Sequence, residues 1–257
     1  MPFKPKKSLG QHFLTDYNII AKILDSIKIE QGDRIIEIGS GTGALTRWLL
    51  QSYKDVHAIE VDERAIQVLR SEFPNLVIHQ SDVLKVQWAN LVSKTGKTII
   101  VGNLPYYITS PILFSVLEYR HLFKEAIFMM QKEVTQRLVA HPHSKEYGIL
   151  TVQTQLMSSP SLLFDVSPNS FTPPPKVMSS VIKLTFDKPA LSCSDQMLKS
   201  VVRTAFNQRR KKLSNALKPI LGDVKPEGFD FDKRAEDWEP VIYADLAEWL
   251  ECDTIYR

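Results

Sequence analysis

The sequence predicts an α/β fold: a mostly parallel sheet with helices on both faces over residues 1–188, then a small α-helical domain over residues 189–257. Three observations carry this reading. Five short apolar runs alternate with helical patterns between residues 34 and 130. The runs are apolar throughout instead of alternating, as in strands buried on both faces. Beyond a linker at Pro189–Ser194, only helical periodicity remains.

Taken in order, Thr15 or Asp16 can cap a helix in which Ile19, Ile20, Ile23, Leu24 and Ile27 recur at helical spacing. Arg34–Ile38 is the first strand, followed by a glycine turn and a helix through Leu45, Trp48 and Leu49. Val56–Val61 is the second strand and Arg64–Phe73 its helix. Leu76–His79, Lys97–Val101 and Ala126–Met130 are the third, fourth and fifth strands. Val181–Phe186 is a last strand, read as antiparallel at the end of the sheet. Met197–Leu221 is helical in pattern, and Asp245–Glu251 forms a final helix.

Composition narrows the function classes. Hydrophobic residues make up 44% of the chain and charged ones 24%, values of a soluble globular protein. No apolar run reaches the length of a membrane span. The basic start, Met1-Pro2-Phe3-Lys4-Pro5-Lys6-Lys7, has no apolar stretch after it and does not read as a signal peptide. Cys193 and Cys252 stand far apart without a CxxC pattern, so free thiols in a reducing cytoplasm are expected, with neither disulfide nor zinc. Net charge is only +3, but it is unevenly spread. Between Gln196 and Gly222 the charges are all basic (Lys199, Arg203, Arg209, Arg210, Lys211, Lys212, Lys218), and acids dominate after Asp223. Such polarity can offer one face to phosphates.

The first strand runs into Glu37-Ile38-Gly39-Ser40-Gly41-Thr42-Gly43. Glycines at a strand-to-helix turn let backbone approach a ligand, which makes Gly39 and Gly41 candidate cofactor contacts. Glu60 ends the next strand, where a carboxylate can accept from ribose hydroxyls, and Asp82 follows the third. All three meet at the carboxyl edge of the sheet. A nicotinamide cofactor shares much of this pattern. The carboxylate of Glu37 beside the turn disfavours a pyrophosphate and suits a cationic cofactor, S-adenosylmethionine.

The fourth strand ends in Gly102-Asn103-Leu104-Pro105-Tyr106-Tyr107. An adenine N6 amine is a weak nucleophile, because its lone pair is delocalised into the ring. Acceptors at its two hydrogens, the Asn103 side-chain oxygen and a backbone carbonyl held by Pro105, localise that pair toward a methyl donor. Tyr106 offers a stacking face. No strong base is needed, and catalysis is mainly proximity and orientation. Read alone, these residues could equally form a strand-ending turn. Phe171-Thr172-Pro173-Pro174-Pro175-Lys176-Val177 is a stiff loop, with Phe171 a candidate for the base's other face and Lys176 for a phosphate. Arg209, Arg210, Lys211 and Lys212, read as helical, are candidate RNA phosphate contacts. Lys4, Lys6, Lys7, Gln11 and His12 form a basic, polar arm that could fold over the cofactor.

From Ser8-Leu9-Gly10-Gln11-His12-Phe13-Leu14 to Arg209-Arg210-Lys211-Lys212-Leu213, the chain resembles the ribosomal RNA adenine dimethylase family. It looks most like those members that act on two adjacent adenosines near the 3′ end of 16S rRNA. The resemblance implies a class I S-adenosylmethionine-dependent methyltransferase sheet (Rossmann-like) and a small helical C-terminal domain that contributes to the RNA surface. It implies cofactor contacts at His12, Leu14, Gly39, Glu60, Asp82 and Asn103, with Glu60 on the ribose and Asp82 on the adenine amine. It also implies 16S rRNA in the 30S subunit as partner, a timing role in assembly, and a cytoplasmic monomer without metal or membrane. Two positions depart from the family pattern: His12 stands where Asn is usual, and Ser40 where Pro is usual. Three rivals are a 23S rRNA adenine dimethylase of the macrolide-resistance kind, a DNA adenine methyltransferase and a non-catalytic ribosome-assembly factor. A map of modified adenosines, a test on duplex DNA and an assay of transfer would separate them.

Overall fold

A computed structural model describes residues 10–255, with side chains described through Cys252. Lys4, Lys6 and Lys7 of the expected basic arm lie outside the described residues. The chain divides into two compact units: residues up to Thr135 with Ser161–Phe186, and Gln136–Pro160 with the residues from Asp187 onward. The second unit thus takes in residues 136–160 as well as the C-terminal helices.

In the first unit, β1 (Phe13–Leu14) leads into α1 (Tyr17–Ser26). Of the two expected caps, Asp16 does the work, accepting from Asn18 N at 3.0 Å. Then β2 (Arg34–Ile38), α2 (Thr46–Ser52), β3 (Val56–Glu60), α3 (Glu63–Glu72), β4 (Val77–Gln80), β5 (Thr98–Asn103), α4 (Thr109–Glu118) and β6 (Glu125–Gln131) follow, and α5 (Lys132–Leu138) begins in this unit and ends in the second. The remaining strands are β7 (Ser159–Val166), β8 (Phe171–Thr172) and β9 (Ser179–Thr185). The seven-stranded sheet has the order β4-β3-β2-β5-β6-β9-β7. Its core strands pair in parallel, and β9 runs antiparallel to β6. β9 is thus antiparallel as expected but not at the sheet's end, because β7 takes the edge.

Period-two alternation puts Ile35, Ile99 and Val101 on one face, packed with Ile19, Ile20 and Ile23 of α1 and Leu49 of α2. The opposite parity, Ile36, Ile38, Ile100 and Phe128, is buried as deeply, and Ile112, Leu113 and Val116 of α4 add to that side. Two covered faces explain why these strands read as continuous apolar runs. Outside the sheet, β1 pairs with β8 in a two-residue antiparallel ladder, Phe13 opposite Thr172 and Leu14 opposite Phe171.

The second unit contains α6 (Ile149–Met157), α7 (Asp195–Asn207), α8 (Leu213–Ala216), α9 (Lys218–Leu221) and α10 (Pro240–Ile255). The helical stretch expected at 197–221 is broken after Asn207, where a turn carries Gln208–Lys211. The basic run therefore lies on a turn and not on a helix. An aromatic cluster, Tyr147, Phe206, Trp238 and Tyr243, forms this unit's core. Its polar tips are satisfied: Tyr147 OH donates to Trp238 O at 2.7 Å, and Tyr243 OH to Ala235 O.

Candidate active site

Four strand ends, those of β2, β3, β4 and β5, and the segment before α1 build one cavity of about 330 Å³ at the carboxyl edge of the sheet. Gly39, Gly41 and Gly43 all have positive φ (72°, 54° and 87°). At Gly41 space matters as well, because a Cβ there would stand 2.8 Å from Phe13 Cε1. The turn thus fits under the β1 segment only as glycine.

Glu60 at the end of β3 locks the turn in place. Its Oε2 accepts from Gly41 N at 2.8 Å, and its Oε1 from Val61 N and Asp62 N at 2.8 and 2.9 Å. One oxygen still has lone-pair capacity toward the cavity it lines. Asp82 caps a short 3-10 turn through Oδ1, which accepts from Leu84 N at 3.0 Å. Its Oδ2 has no protein partner among the described residues. Val61 and Leu84, exposed and apolar, line the same wall. They were not singled out in the sequence, although each lies within two residues of a predicted acid. Asp62 caps α3 and accepts from Gln11 Nε2 at 3.1 Å, which ties the N-terminal segment to this wall. The neighbouring Arg64, above all through its hydrogen bonds, holds the Asp62 carboxyl below the usual carboxylate range.

Glu37 lies behind the turn and is 3% exposed. Burial pushes its carboxyl up to about 7, against the lowering influence of the Thr46 and Ser40 hydroxyls. Thr46 donates to it directly. Ser40 Oγ, also buried, lacks a hydrogen bond of proper geometry. Both line an inner void of about 30 Å³, room for one water. Glu37 repels a pyrophosphate only in its ionised form. Its burial makes it half neutral near pH 7, so the specific contacts at Glu60 and Asp82 carry more weight.

At the end of β5, Asn103 Nδ2 donates to the His12 carbonyl at 2.8 Å, which leaves Oδ1 as acceptor. Leu104 is buried, and its N–H donates to Met129 O at 2.9 Å. The Pro105 carbonyl is taken by Thr109 Oγ1 (3.0 Å) and Ile108 N (3.2 Å). Tyr106 OH and Ser179 Oγ lie 2.6 Å apart, and the Tyr106 ring stacks on His12 at 5.6 Å between centroids. Burial raises the Tyr106 hydroxyl above its usual pKa, partly offset by the Ser179 bond. His12 is held in turn by Nδ1 against the Pro173 carbonyl at 2.7 Å.

The cavity collects His12, Gly39, Gly41, Glu60, Asp82, Asn103, Leu104, Pro105 and Tyr106. Leu14 and Phe171 are not at its wall. Leu14 is a core residue that faces the inner void, and Phe171, 2% exposed, is packed in the same core. A ring so enclosed has no free face for a base. The β1–β8 ladder puts both there, a pairing across about 157 positions that no local pattern announces. Among the candidate phosphate contacts, Lys176, Arg210, Lys211 and Lys212 are exposed, the last paired with exposed Asp232 at 3.0 Å. Arg209 is committed elsewhere: its three nitrogens bond Glu236 and the carbonyls of Lys145 and Ser144.

The residues present fit an S-adenosyl group. Apolar walls at Ile59, Val61 and Leu84 suit an adenine ring, carboxylates stand at two strand ends, and glycine backbone is open to close approach (a Cβ on Gly39 would meet only Asn103 O, at 3.8 Å). A cavity of this build at the carboxyl edge of this sheet defines a class I S-adenosylmethionine-dependent methyltransferase. Over residues 2–254 the chain matches the ribosomal RNA adenine dimethylase family, and it belongs to that family. It is 41% identical to ribosomal RNA small subunit methyltransferase A of Salinibacter ruber, over 98% of this chain and 86% of the relative. To the protein of that name from Parabacteroides distasonis it is 43% identical, over 95% and 92%. Among solved structures it is similar to a dimethyladenosine transferase from Plasmodium falciparum (TM-score 0.78, 28% identity, 95% of this chain and 98% of that one). It is also similar to the 23S rRNA methyltransferase ErmE (TM-score 0.68, 25% identity, 93% and 99%). No described helix is long and apolar enough to cross a membrane.

Proposed function

We propose that this enzyme methylates the N6 amines of two adjacent adenosines near the 3′ end of 16S rRNA in the 30S subunit, giving N6,N6-dimethyladenosine. In this reading it also acts as a late checkpoint of small-subunit assembly. The observation that carries the chemistry is Asn103, whose amide nitrogen is engaged by the His12 carbonyl so that Oδ1 is left to accept. The relatives named for the small ribosomal subunit support the choice of RNA.

S-adenosylmethionine, when bound, supplies an electrophilic methyl group on a sulfonium. Glu60 holds the ribose hydroxyls and Asp82 the adenine amine, while Gly39 and Gly41 give backbone room. Asn103 Oδ1 and the Leu104 carbonyl, fixed in its peptide bond to Pro105, accept from the two hydrogens of the target amine. This turns its lone pair toward the methyl carbon. Tyr106 stacks on the target base. Preorganised acceptors of this kind supply orientation and no proton removal ahead of transfer. Lys176, Arg210, Lys211 and Lys212 meet RNA phosphates.

Incubation with methyl-labelled cofactor and unmethylated 30S subunits, followed by nucleoside analysis, tests the reading. Label in N6,N6-dimethyladenosine of 16S rRNA is expected; no label there, with label instead in the 23S rRNA of large subunits offered in a parallel reaction, would overturn it. Asn103→Ala is expected to abolish transfer while cofactor binding largely survives.

A further inference from the structure

We infer that Tyr107 is a stacking platform for the nucleobase next to the target adenine, so that two consecutive bases are gripped by two consecutive tyrosines. This rests on the RNA substrate proposed above. Tyr106 and Tyr107 line the same cavity, yet they are held in opposite ways. Tyr106 is largely enclosed, with its hydroxyl fixed on Ser179. Tyr107 is 57% exposed, the most exposed of the large hydrophobic side chains described. Among the described residues it has neither an aromatic neighbour nor a hydrogen-bond partner for its hydroxyl. Tyr17, nearly as exposed at 55%, at least leans on Trp48 with centroids 4.7 Å apart.

The position is not a fraying loop. Tyr107 sits in a 3-10 turn between β5 and α4, pinned by Leu104 N on Met129 O and Ile108 N on Pro105 O. One side of its ring rests against Gly10, where a Cβ would come within 3.3 Å of Cδ1. The rest of the ring faces solvent at the rim. A rigid aromatic held out at the mouth of a base-binding cavity matches the need of the substrate. Drawing one base into the cavity strips its neighbour of a stacking partner, and an aromatic ring on the rim replaces it. Stacking on a protein ring is sequence-tolerant and changes affinity by about 5- to 150-fold per base.

The test compares wild type, Tyr107→Ala and Tyr107→Phe on unmethylated 30S subunits, with cofactor affinity measured separately by calorimetry. A stack made equally in ground and transition states is uniform binding, so Tyr107→Ala should raise KM for the subunit by about 5- to 150-fold with kcat little changed. Tyr107→Phe keeps the ring and should stay near wild type, and cofactor affinity should not move in either variant. Subunits rebuilt with an abasic nucleotide beside the target should cost the wild-type enzyme the same factor and the alanine variant nothing further. Four results would overturn the platform: an unchanged KM in Tyr107→Ala, equal loss in the phenylalanine variant, multiplicative losses on the abasic substrate, or a parallel fall in cofactor affinity. The last would make the ring a brace for Gly10. A wild-type enzyme that transfers nothing to subunits would overturn the RNA reading, and the platform with it.

Discussion

Replacing Glu37 by Gln removes a carboxyl that the native state keeps partly protonated, and the effect on stability can be worked out from its surroundings. The ordinary value is 4.5, and burial raises it to about 7 in the folded protein. Below pH 4.5 the group is neutral in both states and folding costs nothing on its account. Between 4.5 and about 7 the unfolded chain ionises while the native state holds its proton, so stability falls as pH rises. Above 7 both states are ionised and the loss levels off. At about 1.4 kcal/mol for each pH unit between the two values, the full loss is about 3 kcal/mol. Gln cannot ionise, and its Oε1 can still accept from the Thr46 hydroxyl that bonds Glu37. Urea unfolding, followed by the fluorescence of the four tryptophans, should therefore show a variant-minus-wild-type difference that grows from near zero at pH 4.5 to about 3 kcal/mol at pH 8. His57 titrates in the same range with the opposite sign. Burial, mainly, lowers it to about 4, so its contribution grows as pH rises from 4 toward 6.5. Both proteins carry it, and it cancels in the difference. A difference independent of pH, or a Gln variant less stable than wild type at pH 8, would refute the buried-acid reading.

Gly41→Ala combines positive φ with a Cβ 2.8 Å from Phe13, so a loss of about 1–3 kcal/mol and weaker cofactor binding are expected. Thermal melts and calorimetry check it, and wild-type values in both would remove the steric case. Arg209→Ala should destabilise by about 1–3 kcal/mol, because it strips partners from Glu236 and two carbonyls, yet leave the salt dependence of RNA binding unchanged. Arg210→Ala and Lys211→Ala should do the reverse, lowering the salt slope by about 0.7–0.9 each with stability within about 0.5 kcal/mol of wild type. Ser40→Ala removes a buried hydroxyl without a proper partner and should leave the melting temperature level or higher, whereas a fall would mean that the hydroxyl is satisfied.

What could be read in the sequence follows how locally each feature is determined. β2 was legible to the residue at Arg34–Ile38, because a strand covered on both faces must be apolar along its length. β7 was not. Ser159-Pro160-Ser161-Leu162-Leu163-Phe164-Asp165-Val166 carries a proline and an acid, which an edge strand tolerates and a central one does not. Asp165 is accommodated there by Lys132 of α5 and by Ser180 of β9 at 2.7 Å, partners from distant elements. Phe171 and Arg209 have the residue types of a base stacker and a phosphate contact. Their partners, set by tertiary packing, decide otherwise: the hydrophobic core for one, Glu236 and two carbonyls for the other.

The same contrast explains the Asn103–Tyr106 loop. Its wording is local: an amide, a proline-fixed carbonyl and a ring follow one another at the end of a strand. Its rigidity is not. Asn103 is oriented by the His12 carbonyl 91 positions away, and Tyr106 by Ser179 at a separation of 73. Leu104 hangs on Met129 of the neighbouring strand. A mechanism that relies on orientation loses its rate when a first contact loosens by an ångström, so these distant anchors matter as much as the loop itself. Under the mechanism proposed above, the N-terminal segment would contribute to catalysis in two ways. It covers the glycine turn through Phe13, and through the His12 backbone it decides which atom of the Asn103 amide is left to face the amine. A backbone carbonyl serves that second purpose whatever side chain stands at position 12.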